Sequence, residues 1–274
     1  MNIFNAENPF LSVIIPAFNE HHTISPLLTI LFRQPISVTY EVIIVDDGSE
    51  PPLKPLIVPF QKIFPNLYLY RQTPNSGKGS AIQIGIQHAR GQYIIIQDAD
   101  LEYHPKDIPE LIQPVLNSPK TPKLAVFGSR FHRYSHQMTK VHHWGNLVIT
   151  HVANLFFRLN LTDVETGYKL IPRELFDQNI FSSKGFDIEI ELTSNLIRAG
   201  YEIREVPISY NYRSKGNAKV TILDGLEAVI LLILFRYFAK NHFFLKNYRW
   251  YRAWVKPKLT RCIRFFFPAS PRLK

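Results

Sequence analysis

The sequence predicts an α/β protein built on a mostly parallel sheet flanked by helices, and three observations carry that expectation. Short apolar runs rich in Val and Ile recur along the first half of the chain. Segments with helical spacing of apolar residues alternate with them, the order that builds a parallel sheet covered on both faces. Polar residues gather directly after several of the runs, where such sheets place their ligands.

The elements read in order as follows. "LSVIIPA", Leu11 to Ala17, is a short β-branched run closed by Pro16, a buried strand, and "NEHHTISPLLTILF" follows with helical spacing. "YEVIIVDDGS", Tyr40 to Ser49, is a second buried strand ending in a turn, and "NLYLYRQ" a short third. "GKGSAIQIGIQHARG" is a helix with Ile82, Ile86 and Ala89 on one face and Gly91 as its stop. "QYIIIQDAD" is the next buried strand. Residues 106 to 124 read as a helix and a Pro-rich loop, and "LAVFGSR" as a strand with Arg130 at its end. Residues 131 to 160 are rich in His and aromatics. "TDVETGYKLI", "GFDIEIELTSNLIRAGY" and "EIREVPISYNYR" read as turn and strand, helix, and strand.

Composition bounds the function. The chain has 274 residues, 46% hydrophobic and 20% charged, enough for one large domain with an appendage. Its one cysteine, Cys262, excludes an internal disulfide framework and a Cys-based metal site. The opening "MNIFNAENPF" shows no signal-peptide pattern. The longest charge-free apolar run, Ala228 to Phe235, has 8 residues, against roughly 20 needed to span a bilayer. The net charge of +10 comes from Arg236 to Lys274, which holds 11 Lys or Arg and no acidic residue. The rest of the chain carries 21 basic against 22 acidic residues. Residues 1–222 therefore read as the main domain and 223–274 as an amphipathic, then basic-aromatic, helical tail.

The strand-end clusters carry the chemistry. Asp98 and Asp100 flank a small residue, a spacing at which carboxylates hold a hard divalent cation and leave positions open for a diphosphate; a helix cap and a solvated face are the alternative. Asp46 and Asp47 can accept from a base N–H or a ribose hydroxyl, or can cap their turn. "NSGKGS" is no Walker A loop, because Gln72 stands where the first glycine belongs. Its glycines still let backbone N–H groups approach a phosphate at the helix start, with Lys78 as a binding candidate beside them; a plain loop and helix start is the alternative. His132, His136, His142, His143 and His151 lack the H-E-x-x-H pattern and read as polar loop and helix lining.

"VIIPAFNE", "VIIVDDGS", "N-x-GKG", "QDADLE" and "GSR" occur in this order, and together they resemble family 2 glycosyltransferases with the GT-A, Rossmann-like fold. The later "TDVETGYKLI", "GFDIEIEL" and "EVPISYNYRSKG" are similar to the branch of dolichyl-phosphate mannose and glucose synthases and their polyprenyl-phosphate relatives. The resemblance covers roughly Phe10 to Phe238. It implies a nucleotide-diphosphate sugar donor whose base and ribose are lined by Pro16, Phe18, Glu20 and one of Asp46 and Asp47. Phe18 stands where the family often has Tyr. The resemblance further implies Mg²⁺ or Mn²⁺ on Asp98 and Asp100 with Glu102 nearby, and Arg130 for an acceptor phosphate. It also implies that Arg213 and Lys219 belong to a later basic segment that folds over the site. Two positions depart from the pattern. Gly145 stands where some members have a second arginine, and Gly216-Asn217-Ala218-Lys219 lacks a serine present in some synthases.

The expected reaction is an inverting transfer of one hexose to a lipid phosphate. An ionised phosphate needs no strong base, and Arg130 would orient it by paired hydrogen bonds. With a glycan or protein hydroxyl as acceptor a base is required, and Asp187, with Glu189 behind it, is then the candidate; a helix-start carboxylate is the alternative for Asp187. A non-catalytic nucleotide-sugar or membrane-binding module is the reading from another class. Asp163, Tyr168 and Lys169 stay open. The tail's 11 aromatic and 11 basic residues suit an anionic membrane surface. Docking of Leu223 to Phe238 on the catalytic domain is the competing reading, and nucleic acid is disfavoured because the main domain has no basic excess. The expectation is a peripheral enzyme at the cytoplasmic face of a membrane, working from the surface or with a membrane-protein partner.

Overall fold

A computed structural model describes residues 8–118, 123–131, 140–178 and 188–211. The tail of residues 223–274, and with it the membrane reading, lies outside the described residues, as do Asp187, Arg213, Lys219, His132 and His136. The described strands are β1 (Leu11–Ala17), β2 (Tyr40–Asp47), β3 (Leu67–Gln72), β4 (Tyr93–Ile96), β5 (Leu124–Ser129), β6 (Lys169–Pro172) and β7 (Glu202–Pro207). The helices are α1 (Ile24–Leu31), α2 (Lys54–Gln61), α3 (Lys78–His88), α4 (Ile108–Leu116), α5 (Lys140–Phe157), α6 (Glu174–Gln178) and α7 (Ile188–Arg198).

The strands form one sheet in the order β3-β2-β1-β4-β6-β5-β7. All neighbours pair in parallel except β6, which runs antiparallel to both β4 and β5. The α/β class and the mostly parallel sheet expected from the sequence are therefore present.

Burial explains the apolar runs. In β1, Val13 and Ile15 join one core cluster and Ile14 another. In β2, Val42 and Ile44 join the first while Ile43 and Val45 join the other. Successive side chains alternate across the sheet, so a strand covered on both faces is apolar in runs rather than at alternate positions. Helix α3 lies close on the sheet: a Cβ at Gly85 would stand 2.4 Å from Ile14 Cγ2. That contact tolerates only glycine without movement.

Helix α3 ends at His88, before the expected stop at Gly91. The reason is a buried carboxylate. Glu41 accepts from the Arg90 backbone N–H at 2.7 Å and from Arg90 Nε and Nη2 at 3.0 and 2.7 Å. Glu41 also accepts from Ser12 Oγ, which in turn accepts from Gly91 N–H. These bonds draw the chain out of the helix and pin it to the amino-terminal ends of β1 and β2, away from the polar rim.

Helices α2 and α5 were not among the expected elements. Helix α2 carries Pro59 in its interior, and α5 is an 18-residue helix with no acidic residue in its first turn. Among the described residues no helix is long and apolar enough to cross a membrane.

Candidate active site

The carboxyl ends of β1, β2, β4 and β5 carry the predicted residues, and each end is built by specific hydrogen bonds. Pro16 lies in β1 opposite Val45, half-buried. Just beyond, Phe18 is 47% exposed, so its ring is available for stacking. Glu20 accepts from Thr23 Oγ at 2.7 Å at the entry to α1. Asn19 ties two loops together: its N–H donates to Ser49 Oγ, and its side-chain oxygen accepts from Glu50 N–H.

Asp46 and Asp47 are both buried and face their own loops. Asp46 accepts from Ser49 N–H at 2.9 Å and Leu53 N–H at 3.1 Å, closing the turn that Gly48 makes at φ +77°. Asp47 accepts from Gln72 Nε2, from Ser76 N–H at 2.8 Å and from Gly77 N–H at 2.9 Å. The turn-capping reading describes Asp46, and Asp47 clamps the loop that starts α3. Gly77 enters that helix at φ 96°, a conformation that favours glycine.

The loop after β4 is held from within. Gln97 is fully buried; its amide donates to the carbonyls of Asp98 and Tyr103, and its oxygen accepts from Tyr168 Oη at 2.8 Å. Tyr103 Oη accepts from Gly167 N–H at 2.9 Å. The sharp turn passes through Leu101 at φ 66°. Asp100 accepts from Glu102 N–H at 3.1 Å. Glu102 does not turn to Asp98; its carboxylate accepts from Tyr210 Oη at 2.7 Å, and its carbonyl accepts from Asn211 N–H.

Asp98 meets a cation. Lys78, the first residue of α3, places Nζ 2.8 Å from Asp98 Oδ1 and 3.1 Å from Glu189 Oε1. Burial works against the ammonium, but the two carboxylates outweigh it and hold the Lys78 pKa above its ordinary value. Glu189 sits in the first turn of α7, where the helix dipole favours a carboxylate. A Cβ at Gly167 would lie 3.3 Å from Asp98 Oδ2 and 3.6 Å from Glu189 Oε1, so this glycine keeps the space between the carboxylates open.

Arg130, at the end of β5, is committed to Asp163. Its Nε and Nη2 donate to the two carboxylate oxygens, each at 2.7 Å, and its N–H donates to Asp163 Oδ2 at 3.0 Å. Glu205 fixes the same loop by accepting from the N–H groups of Thr162 and Asp163. The guanidinium therefore lies in a fixed plane, 5.4 Å from the Tyr210 ring centroid. The fork expected for an acceptor phosphate is filled by Asp163.

Beneath this rim, Lys169 is buried and donates to the Thr166 carbonyl. Burial lowers its pKa, against the pull of Glu189 and Glu165. Burial also raises the pKa of Glu165, whose Oε1 has no hydrogen-bond partner among the described residues.

The structure thus brings Lys78, Asp98 and Glu189 together, puts Asp46 and Asp47 into the wall, joins Glu102 to Tyr210, and joins Arg130 to Asp163. Reading the sequence missed the pairing roles of Glu189, Asp163 and Tyr210. The acidic first turn of α7 was the visible signal for Glu189; none marked Tyr210. Among the described residues no three His, Cys, Asp or Glu side chains form a ready metal cage. Asp98 pairs instead with the Lys78 ammonium.

Comparison with known proteins agrees with this frame. The family model "Glycosyl transferase family 2" matches residues 12–180. A dolichyl-phosphate beta-glucosyltransferase of Trichomonas vaginalis is 29% identical over 231 residues, 80% of this chain and 71% of its own. A dolichol-phosphate mannosyltransferase of Mycosarcoma maydis is 31% identical over 252 residues, 85% of this chain and 82% of its own. Among solved structures, glucosyl-3-phosphoglycerate synthase from Mycobacterium tuberculosis with Mn²⁺, UDP and phosphoglyceric acid superposes with a TM-score of 0.60 at 20% identity. That match covers 83% of this chain and 77% of the synthase, and it shows the GT-A fold.

Proposed function

The chain belongs to glycosyl transferase family 2, and from that premise we propose that it moves a hexose from a UDP- or GDP-linked sugar to a polyprenyl or dolichyl phosphate, with inversion. The observation that carries the donor half is the Lys78–Asp98 contact at the carboxyl end of β4, a carboxylate built to meet positive charge where an α/β sheet binds its ligand. The acceptor half draws on the dolichyl-phosphate relatives.

Asp98 and Asp100 would hold Mg²⁺ or Mn²⁺, with Glu102 near it. When bound, such an ion offsets the charge of the departing diphosphate. Two protein carboxylates suffice, because these ions commonly take their remaining ligands from phosphate and water. The metal-bearing synthase of the same fold supports the ion without identifying it. Phe18 stacks on the base, with Pro16 and Glu20 beside it. Asp46 and Asp47 act through the loops they hold, which shape the pocket for base and ribose. Lys78 faces the diphosphate, anchored by Glu189.

The acceptor phosphate is ionised at neutral pH, so attack needs no general base. Arg130 meets it as a cation whose orientation Asp163 sets, and Arg213 and Lys219 add charge from the segment after β7. Residues 1–222 form the catalytic unit, and the tail of 223–274 meets an anionic membrane surface. A second reading, a glycan or protein hydroxyl as acceptor with Asp187 as base, draws on one observation: the Arg130 fork is already filled by Asp163.

The test is transfer by the purified full chain with Mg²⁺ or Mn²⁺, labelled UDP- and GDP-sugars and a short polyprenyl phosphate. Asp98→Ala and Asp187→Ala are run alongside. Lipid-linked label that needs Asp98 and ignores Asp187 supports the proposal. Donor turnover that needs both carboxylates and ignores the lipid favours the hydroxyl reading. No binding of any donor removes both.

A further inference from the structure

We propose that Lys78 is a stand-in for the metal: its ammonium fills the place at Asp98 until a metal–nucleotide complex arrives, and then moves to the diphosphate while staying on Glu189. This rests on reading the site as a metal–diphosphate site. Its consequence is an order of binding. Free metal finds Asp98 already neutralised, so metal enters together with the nucleotide.

Geometry supports the exchange. Lys78 Nζ lies 2.8 Å from Asp98 Oδ1, and Mg²⁺ or Ca²⁺ binds carboxylate oxygens at about 2.0–2.6 Å. An ammonium and a divalent ion cannot share that oxygen without severe like-charge repulsion. One must leave, and the surroundings decide how. The backbone cannot move freely, because Asp47 holds the N–H groups of Ser76 and Gly77 directly before Lys78. The motion is therefore confined to the side chain. A lysine suits it, being a point charge on a flexible stem with rotatable donors.

Exposure decides which contact breaks. The Glu189 side chain is 9% exposed and that of Asp98 21%. Stripping the cation from the more buried carboxylate costs more, since that charge cannot be rehydrated. Glu189 is thus the tether and Asp98 the contact that opens. An arriving diphosphate offers new negative charge to the freed ammonium, and the metal takes Asp98. Neither ligand gains this exchange alone, so each strengthens the other's binding, as linkage requires.

The test measures Mn²⁺ binding by electron paramagnetic resonance of the free ion, with the full-length chain. It is done with no nucleotide, with UDP and with GDP, on wild type and Lys78→Met. Wild type should bind Mn²⁺ weakly alone and on the order of tenfold or more tightly with one nucleotide. Lys78→Met should bind Mn²⁺ alone on the order of tenfold more tightly than wild type, and the nucleotide's effect should shrink by the same factor, leaving what its phosphate oxygens contribute as direct ligands. Because that variant leaves Glu189 buried without its Lys78 partner, Lys78→Met/Glu189→Gln is measured too and should show the same gain. Nucleotide-free Mn²⁺ affinity unchanged or lowered in the double variant overturns the proposal while leaving the glycosyltransferase reading intact. Wild type that binds no Mn²⁺ even with UDP or GDP overturns the proposal and the metal–diphosphate site together.

Discussion

Replacing Asp163 by Ala tests the idea that Arg130 is a positioned, largely buried cation. The side chains of the pair are 8% and 0% exposed, and two bonds of 2.7 Å join them. Removing the carboxylate leaves the guanidinium buried without its counter-charge. Breaking a buried pair in this way costs about 3–5 kcal/mol. At about 2–4 °C per kcal/mol for a protein of this size, the melting temperature should fall by about 6–20 °C. Urea unfolding followed by circular dichroism gives the same loss in free energy. The Glu205 bonds to the backbone of residues 162 and 163 remain possible in the variant, so the loop keeps its other anchor. A second variant separates charge from packing. Arg130→Met with Asp163→Leu removes both charges and should recover part of the stability, the backbone N–H at position 130 still lacking its Asp163 acceptor, and should abolish the proposed transfer to a lipid phosphate. A loss below about 1 kcal/mol in Asp163→Ala, the value of an exposed pair, would refute the reasoning, because it would mean that water reaches the guanidinium.

Three further predictions follow from the packing. Gly85→Ala puts a methyl 2.4 Å from Ile14 Cγ2 and should cost about 1–3 kcal/mol in urea unfolding. Gly167→Ala narrows the space between Asp98 and Glu189, so donor affinity by calorimetry should fall about tenfold, the equivalent of a modest overpacking cost. Glu165→Gln should change how stability depends on pH. Burial raises the Glu165 pKa in the folded chain, so above the ordinary carboxylate range the folded state holds a proton that the unfolded state has lost. The stability this group contributes is therefore full in acid and fades as pH rises through the raised value. Urea unfolding at several pH values should show wild type losing ground to Glu165→Gln from mildly acid toward neutral pH, and a difference that stays flat would contradict the buried carboxyl.

The parts of the fold that were legible are those where local pattern and burial coincide. Strands β1 and β4 are apolar at nearly every position, and β2 through Val42–Val45, because both faces of the sheet are covered, and that signal survives in a single sequence. The direction of β6 was not legible. Four residues, Lys169 to Pro172, carry no mark of which way they run. Helix α2 was hidden by its own prolines.

In the site, Asp98 was legible as a carboxylate at a strand end, but its partners were not. Lys78 and Glu189 are 111 positions apart, and Arg130 and Asp163 are 33 apart. Local spacing carries no information on such pairs. Asp46 and Asp47 illustrate the opposite limit. A carboxylate after a strand serves equally as a turn cap or as a ligand, and only the backbone N–H groups of Ser49, Leu53, Ser76 and Gly77 show where these two point.

The nucleophile proposed for this chain is a lipid phosphate rather than a hydroxyl. The most direct measurement offers the full chain, with Mn²⁺ and the preferred donor, a polyprenyl phosphate and the polyprenol of the same length in parallel. Lipid-linked sugar is expected with the phosphate and none with the alcohol, because an ionised phosphate needs no base whereas an alcohol does. Comparable transfer to the alcohol, or donor turnover indifferent to either lipid, would contradict it.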